Sequence, residues 1–391
     1  MRSLKKFSKA EYGERLQKVK KKMEKKGLDA LFISDPANMN YLTGYDGWSF
    51  YVPQMVLVFL EDEEPYWFGR AQDANGARAT AWLSPSQLLS YSDEYVHAKS
   101  KHPMEVLAAW VKEKKKNIKR VGVEMDAYYF SPRAFECLQT GCFWINFADA
   151  QHVVNEIRMI KSDQEILYMK KAGTIAERAM KAGVDVAKEG ARVCDIAAAI
   201  AQAQISGTPD AGGDYPSIVP LIPAGSLTFA PHVTWTDERL KQGDPLIIEL
   251  AGCFHRYHAP LARTVTVGKM GDRFLSLVRA VMEGIEAVLE QIKPGITCEE
   301  VEDTWQRVIK KHGFTKDSRI GYSIGLNYPP DWGEHTASLR PGDQTILQPN
   351  MAFHLMPGVW LDDIGVEISE SFVVTENGCE TLSQFPRLLS S

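Results

Sequence analysis

The stretch from Asp244 to Gly268, DPLIIELAGCFHRYHAPLARTVTVG, constrains the fold of this chain more than any other. Leu246, Ile247 and Ile248 form an apolar run into Glu249, Gly252 to Arg256 reads as a bend, and Leu261 to Val267 returns as a Val/Thr-rich strand. The pattern predicts two neighbouring strands. A carboxylate at the end of such a run demands a reason, because burying an unpaired charge is costly. Glu249 could be a satisfied structural acid, a metal ligand or a catalytic group.

At 391 residues the chain is long enough for two domains. Its net charge of −5, with no basic stripe interleaved with aromatics, argues against a nucleic-acid partner. Lys20 to Lys26 and Lys112 to Lys119 read as solvated helix faces. Cys137, Cys142, Cys194, Cys253, Cys298 and Cys379 contain no C-x-x-C pair, and their scatter suggests reduced thiols in the cytoplasm. The N-terminal residues have no apolar core of a secretory signal, and no apolar run approaches membrane-spanning length, so no membrane partner is expected.

Strands and helices alternate up to about Asn155, which predicts an α/β N-terminal domain over 1–155 and a second domain over 156–391. Ser8 with Glu11, Ser162 with Glu165 and Thr297 with Glu300 have the spacing of capping boxes at helix starts. Asp35-Pro36-Ala37-Asn38 reads as a break after a strand, and Asn40 to Tyr51 as an aromatic, glycine-rich loop. Arg319 to His335 reads as another loop, and Leu347 to Val359 and Val366 to Thr375 as the last strands.

The central stretch resembles the core motif of the pita-bread hydrolases, the superfamily of aminopeptidase P, prolidase, methionine aminopeptidase and creatinase. Its metal-dependent members carry D-x-G-A, a second Asp eleven residues on, and T-R-T. Glu249 stands at the first Asp, Pro260 at the second, and Arg263-Thr264 keep the R-T pair. The G-H-x-I-G motif is Gly321-Tyr322-Ser323-Ile324-Gly325, with Tyr322 for the ligand His. The I-E-P-G motif is Leu355-Met356-Pro357-Gly358, with Met356 for the ligand Glu. The last ligand position falls on Ser369. Of five positions only Glu249 keeps an oxygen suited to hard or borderline ions. The resemblance implies a creatinase-like α/β N-terminal domain, an α+β pita-bread catalytic domain, a homodimer, and a site with no metal and no cofactor.

Without a metal nothing lowers the pKa of water, so hydrolysis needs a base or nucleophile of its own and a substrate primed for attack. Glu249 is the candidate for that role. Pro231-His232 matches a family position that moves protons, which makes His232 the candidate shuttle. Trp48, Phe50 and Tyr51 are candidate substrate walls, on a region that in the family faces the site. Tyr322, His354 and Met356 are further substrate candidates, His354 sharing a face with Met356 if their strand is regular. Trp332 could stack on substrate or be scaffolding. A carboxylate, a His and aromatic walls suit an amidinium or guanidinium.

The segments Leu42 to Tyr51, Gly122-Val123-Glu124-Met125-Asp126 and Tyr328 to Glu334 resemble the ectoine hydrolases of this superfamily more than the creatinases. That resemblance implies a small zwitterionic cyclic amidine as substrate. Its hydrolytic opening gives N-acetyl-2,4-diaminobutyrate, with a separate deacetylase as functional partner. An Xaa-Pro metallopeptidase, a creatinase-type amidinohydrolase and an inactive binding protein are the competing readings. Arg70, Arg263 and Arg319 are all conceivable holders of the substrate carboxylate.

Overall fold

The computed structural model describes residues 6–388 except Gln151 and Met270. The chain divides into two compact units, Met1–Arg158 and Met159–Ser391. The N-terminal unit runs α1 (Lys9–Lys26), β1 (Ala30–Ile33), α2 (Pro36–Thr43), β2 (Met55–Phe59), β3 (Tyr66–Arg70), α3 (Ala74–Thr80), β4 (Leu88–Tyr91), α4 (Pro103–Lys114), β5 (Arg120–Val123), α5 (Pro132–Gly141), β6 (Asn146–Asp149) and α6 (Asn155–Arg158). Its six strands form one mixed sheet in the order β4-β3-β2-β1-β5-β6. Apolar clusters built on Leu31, Ile33 and Trp67 and on Phe32, Leu57 and Leu107 cover both faces, as an α/β architecture requires.

Two local readings of this unit are corrected. Asp35-Pro36 does not simply break the strand: Asp35 caps α2 through its side chain, with Pro36 at the first helical position. Proline suits that position because its missing N–H would have no helical partner there. The expected loop at Asn40 therefore begins only at Gly44, which takes φ +78°. Ser8 does cap α1, but the Glu11 carboxylate turns to Arg15 instead of closing the box.

The C-terminal unit runs α7 (Asp163–Val186), α8 (Val193–Ser206), β7 (Pro245–Phe254), β8 (Tyr257–Thr266), α9 (Asp272–Gln291), α10 (Cys298–Lys311), β9 (Gly321–Ile324), β10 (Gly333–Leu339), β11 (Ala352–Leu355), β12 (Val359–Trp360), β13 (Gly365–Val366), β14 (Glu370–Val374) and β15 (Cys379–Thr381). The capping boxes at Ser162/Glu165 and Thr297/Glu300 are both complete. β7 and β8 form the long hairpin that the sequence predicts, from Pro245↔Thr266 to Phe254↔Tyr257. Its turn is only His255-Arg256, at φ +53° and +69°, the positive-φ pair of a type I′ turn made without glycine or asparagine. Arg256 is held there by packing against the Tyr215 and Tyr328 rings. Gly252 lies inside the strand because α7 comes close: a Cβ there would sit 1.9 Å from the Ala172 carbonyl oxygen.

A five-stranded sheet, β10-β9-β11-β14-β15, stands beside this hairpin. The expected loop at 319–335 is corrected: Gly321–Ile324 is a strand paired on both sides, and Gly333 begins another. The strand expected through Val359 is interrupted, since β11 ends at Leu355. Helices α9 and α10 pack on this sheet, while α7 and α8 share a core with the hairpin. Residues 367–369 tie the two layers together. Ser369 N–H donates to the Ala262 carbonyl, and Thr264 Oγ1 both donates to the Glu367 carbonyl and accepts from its N–H.

Candidate active site

Glu249 sits in the middle of β7, 5% exposed, its backbone paired with Ala262 on one side and Leu221 on the other. None of the described residues donates a hydrogen bond to its carboxylate. Burial first, and the Glu367 charge second, push its pKa well above the ordinary carboxylate value.

Tyr322 and Ser369, two of the residues standing where metal-dependent relatives keep ligands, are joined through His354 in a chain of hydrogen bonds. Trp332 Nε1 donates to Tyr322 Oη at 2.8 Å, Tyr322 Oη lies 3.3 Å from His354 Nδ1, and His354 Nε2 lies 2.8 Å from Ser369 Oγ. Ser369 Oγ also accepts the Ala262 N–H at 2.7 Å, directly across from Glu249. Burial, with Arg319 assisting, lowers the His354 pKa to about 3, so the imidazole is neutral. Burial and then Glu249 raise the Tyr322 phenol well above its usual value, so it stays a hydroxyl beside that carboxylate. Trp332, which the sequence left between stacking and scaffolding, is fully buried and serves to hold Tyr322.

This donor set does not fit a dinuclear metal centre. Pro260 has no donor, Tyr322 is a protonated phenol, Met356 is a soft thioether, and Ser369 is committed to Ala262 and His354. Among the described residues no three His, Cys, Asp or Glu side chains come together as a ligand group. The regular strand that carries His354 stops at Leu355, one residue short of Met356, whose N–H still donates to the Ile320 carbonyl in register with it. Proline at 357 cannot donate to a ladder, which ends the pairing.

Two charged residues, Glu367 acting on Glu249 and Lys316 acting on Glu367, escaped the sequence reading. Glu367 is buried, its Oε1 has no hydrogen-bond partner, and burial raises its pKa to about 7 against the opposing pull of Lys316. Lys316 is buried as well, its Nζ unpartnered and 4.6 Å from the Trp360 ring centroid; burial lowers its pKa to about 8. Their sequence signal was weak, since Lys316 lies in a polar stretch and Glu367 two residues before the ligand position. A charged residue in the apolar run Ile364 to Ile368 was the available hint.

The remaining candidates have the following surroundings. His232 is exposed, in a turn at φ +63°. Its neighbour Val233 accepts the Ile222 N–H, next to the Leu221 that pairs with Glu249, so its segment runs two connections from the carboxylate. Trp48 and Tyr51 are exposed in the N-terminal unit, and Phe50 packs 4.8 Å from Trp48 and 5.6 Å from Tyr129. Arg263 is unsuited to a substrate carboxylate: it is fully buried and bound to Glu370 and to the carbonyls of Ser369, Phe385 and Pro386. Arg70 pairs with Asp93, whereas Arg319 stacks 4.3 Å from the Tyr322 ring.

The pattern of metallopeptidase family M24 matches residues 168–376, and that of the creatinase/prolidase N-terminal domain matches 15–160. An ectoine hydrolase of Halomonas elongata is 46% identical over 390 residues, covering 98% of each chain. An uncharacterized hydrolase/peptidase of Sinorhizobium fredii is 44% identical, again over 98% of each. Among solved structures the prolidase of Pyrococcus horikoshii, 23% identical, superposes with a TM-score of 0.82 over 96% of this chain and 99% of its own. The chain therefore belongs to metallopeptidase family M24, the pita-bread hydrolases, and is a hydrolase of C–N bonds.

Proposed function

We propose that this protein opens the ring of ectoine by metal-independent hydrolysis, giving N-acetyl-2,4-diaminobutyrate, with Glu249 as the reacting carboxylate. The observation that carries the reading is a buried Glu249 with no donor from the described residues, where Tyr322, Met356 and Ser369 stand at positions that hold ligands in metal-dependent relatives. A carboxylate left bare in this way is poorly solvated and reactive, and an amidinium both binds it and offers an electrophilic carbon. The ectoine hydrolase of Halomonas elongata supports the choice of substrate.

In the reaction Glu249 adds to the amidine carbon, or takes a proton from the water that does. The C=N electron pair moves to a ring nitrogen, that nitrogen is protonated and its bond to carbon breaks; where Glu249 added directly, water then attacks the same carbon and expels the carboxylate, so that in either case water supplies the oxygen of the resulting acetamide. His232 is the proposed donor to the departing nitrogen. Tyr322 and His354, neutral and fixed to each other, line the place where the ring sits, with Met356 at its edge. Trp48, Phe50 and Tyr51 enter the reading on the family resemblance alone, as do the homodimer and the downstream deacetylase. Six free cysteines accord with a reducing cytoplasm, and no described helix is long and apolar enough to cross a membrane.

Incubation with ectoine, creatine and an Xaa-Pro dipeptide, with and without chelator, tests this. Ectoine alone should be consumed, at the same rate in both conditions. Chelator-sensitive cleavage of the dipeptide would return the chain to the metallopeptidases.

A further inference from the structure

Three ionisable side chains near the hairpin have charged atoms with no hydrogen-bond partner among the described residues. The Glu249 carboxylate accepts no hydrogen bond from the described residues, Glu367 Oε1 is buried without one, and Lys316 Nζ is buried without one. The arrangement is imposed by the backbone. Thr264 straps Glu367 to β8 by two bonds of 2.7 and 2.8 Å, while Ala262, two residues earlier, lies across from Glu249. Residues two apart on a strand share a face, so the strap holds the second acid on the side of the first. Lys316 is 7% exposed, Glu367 4%, and the Trp360 ring lies against the ammonium.

Buried polar groups in folded proteins are almost always satisfied, and an orphan calls for an explanation. Two carboxylates this close repel each other unless positive charge is supplied. With both acids ionised, Lys316 supplies one unit and one negative charge is left for a cationic ligand to match. We infer that Glu367, backed by Lys316, is the specificity-determining carboxylate of this site: with Glu249 it forms a two-acid seat, complete only when a ligand brings one positive charge and N–H donors. An amidinium has both, with a polarised N–H on each side of its central carbon. A lactam of the same size and shape has one N–H, no charge and a carbonyl oxygen facing an acid, and is rejected. Glu367 acts by binding, while Glu249 reacts. Lys316 is a positioning residue that acts through Glu367.

The inference rests on the cyclic-amidine reading of the site, and its test separates the two. Affinities of ectoine and of the neutral lactam isostere are measured on the parent chain and on Glu367→Gln, from KM and inhibition constants where ectoine is turned over and by calorimetry where it is not, with kcat for ectoine followed alongside. The expected result is a preference for amidinium over lactam of about 100-fold that falls below about 10-fold when Glu367 is neutralised, with KM rising more than kcat falls. Lys316→Met should weaken amidinium binding in the same direction but by less. Circular dichroism checks that each variant folds, and Glu367→Asp, which keeps the charge, should restore part of the preference if the role is electrostatic. An undiminished preference in Glu367→Gln overturns the inference even if the parent chain hydrolyses ectoine. A Glu367-dependent preference in a chain that does not hydrolyse ectoine keeps the inference and overturns the proposed function.

Discussion

Glu124, just past β5 in the N-terminal unit, and Glu249, within β7 in the C-terminal unit, are both carboxylates buried at 5% exposure or less among apolar strands. Their surroundings are opposite. Glu124 accepts the N–H groups of Ser34 and Asp35 at 2.8 Å, at the start of α2, and the Asn38 amide at 2.7 Å. Asn38 in turn is bound to Asn155 and Arg158. Burial, then Asp35, raise its pKa to about 7 while those donors pull it down. Glu249 has no donor among the described residues. Burial is therefore a poor guide to role: a satisfied buried acid is scaffold, and an unsatisfied one is held ready for something the protein does not itself provide.

The largest test of this contrast is Glu249→Gln. It should lower kcat for ectoine by roughly 10³-fold or more while leaving the melting temperature unchanged or higher, because no protein bond is lost. Turnover within tenfold of the parent would end the assignment. Glu124→Ala should do the reverse. It orphans two backbone N–H groups and an amide, and should cost about 3 kcal/mol in urea unfolding, with kcat of the folded fraction nearly unchanged.

How far the sequence disclosed this contrast follows from the range of the interactions involved. Helix starts at Ser162 and Thr297, and the β7/β8 hairpin, were legible because capping and strand pairing there are local in the chain. Glu249 was legible for the same reason, as a charge at the end of an apolar run. Glu367 and Lys316 were not, since 51 positions separate them and only the packing of β12, β13 and Trp360 brings them together. The strand Gly321–Ile324 was hidden by its four-residue length and by the Gly/Pro/Asp-rich segment after it, its partners being β10 and β11. The start of α2 could have been read from Asp35-Pro36 as cap and first helical residue, a signal that also reads as a break.

The two acids of the site also differ from Glu124 in what titration does to them. The groups whose charge or field meets Glu249 are Glu367 and Tyr322, the latter as a hydroxyl, with Lys316 beyond Glu367 and Arg319 beyond Tyr322. Its pKa is raised by burial and by the Glu367 charge, so the acid limb of kcat/KM should lie well above the ordinary carboxylate range. Glu367→Gln removes the like charge but not the burial. The limb should therefore move to lower pH, whereas Glu124→Gln should leave it in place. A limb that stays put in Glu367→Gln would show that the two acids do not feel each other.

Ser369→Ala probes the smallest effect, and it asks whether the contrast holds inside the site. Ser369 stands at a ligand position of metal-dependent relatives, yet it is satisfied: its hydroxyl accepts the Ala262 N–H and meets His354 Nε2 at 2.8 Å. By the rule drawn from Glu124 it is scaffold, whatever its ancestry. Its removal strands one buried N–H and one imidazole nitrogen and should cost about 1–2 kcal/mol of stability. Activity should fall by less than about tenfold, because His354 stays tethered to Tyr322 and the Glu249 backbone keeps its pairing with Leu221. Loss of turnover on the scale of Glu249→Gln, without loss of stability, would place the hydroxyl among the reacting groups, and partner count would then fail to separate scaffold from chemistry where the two lie side by side.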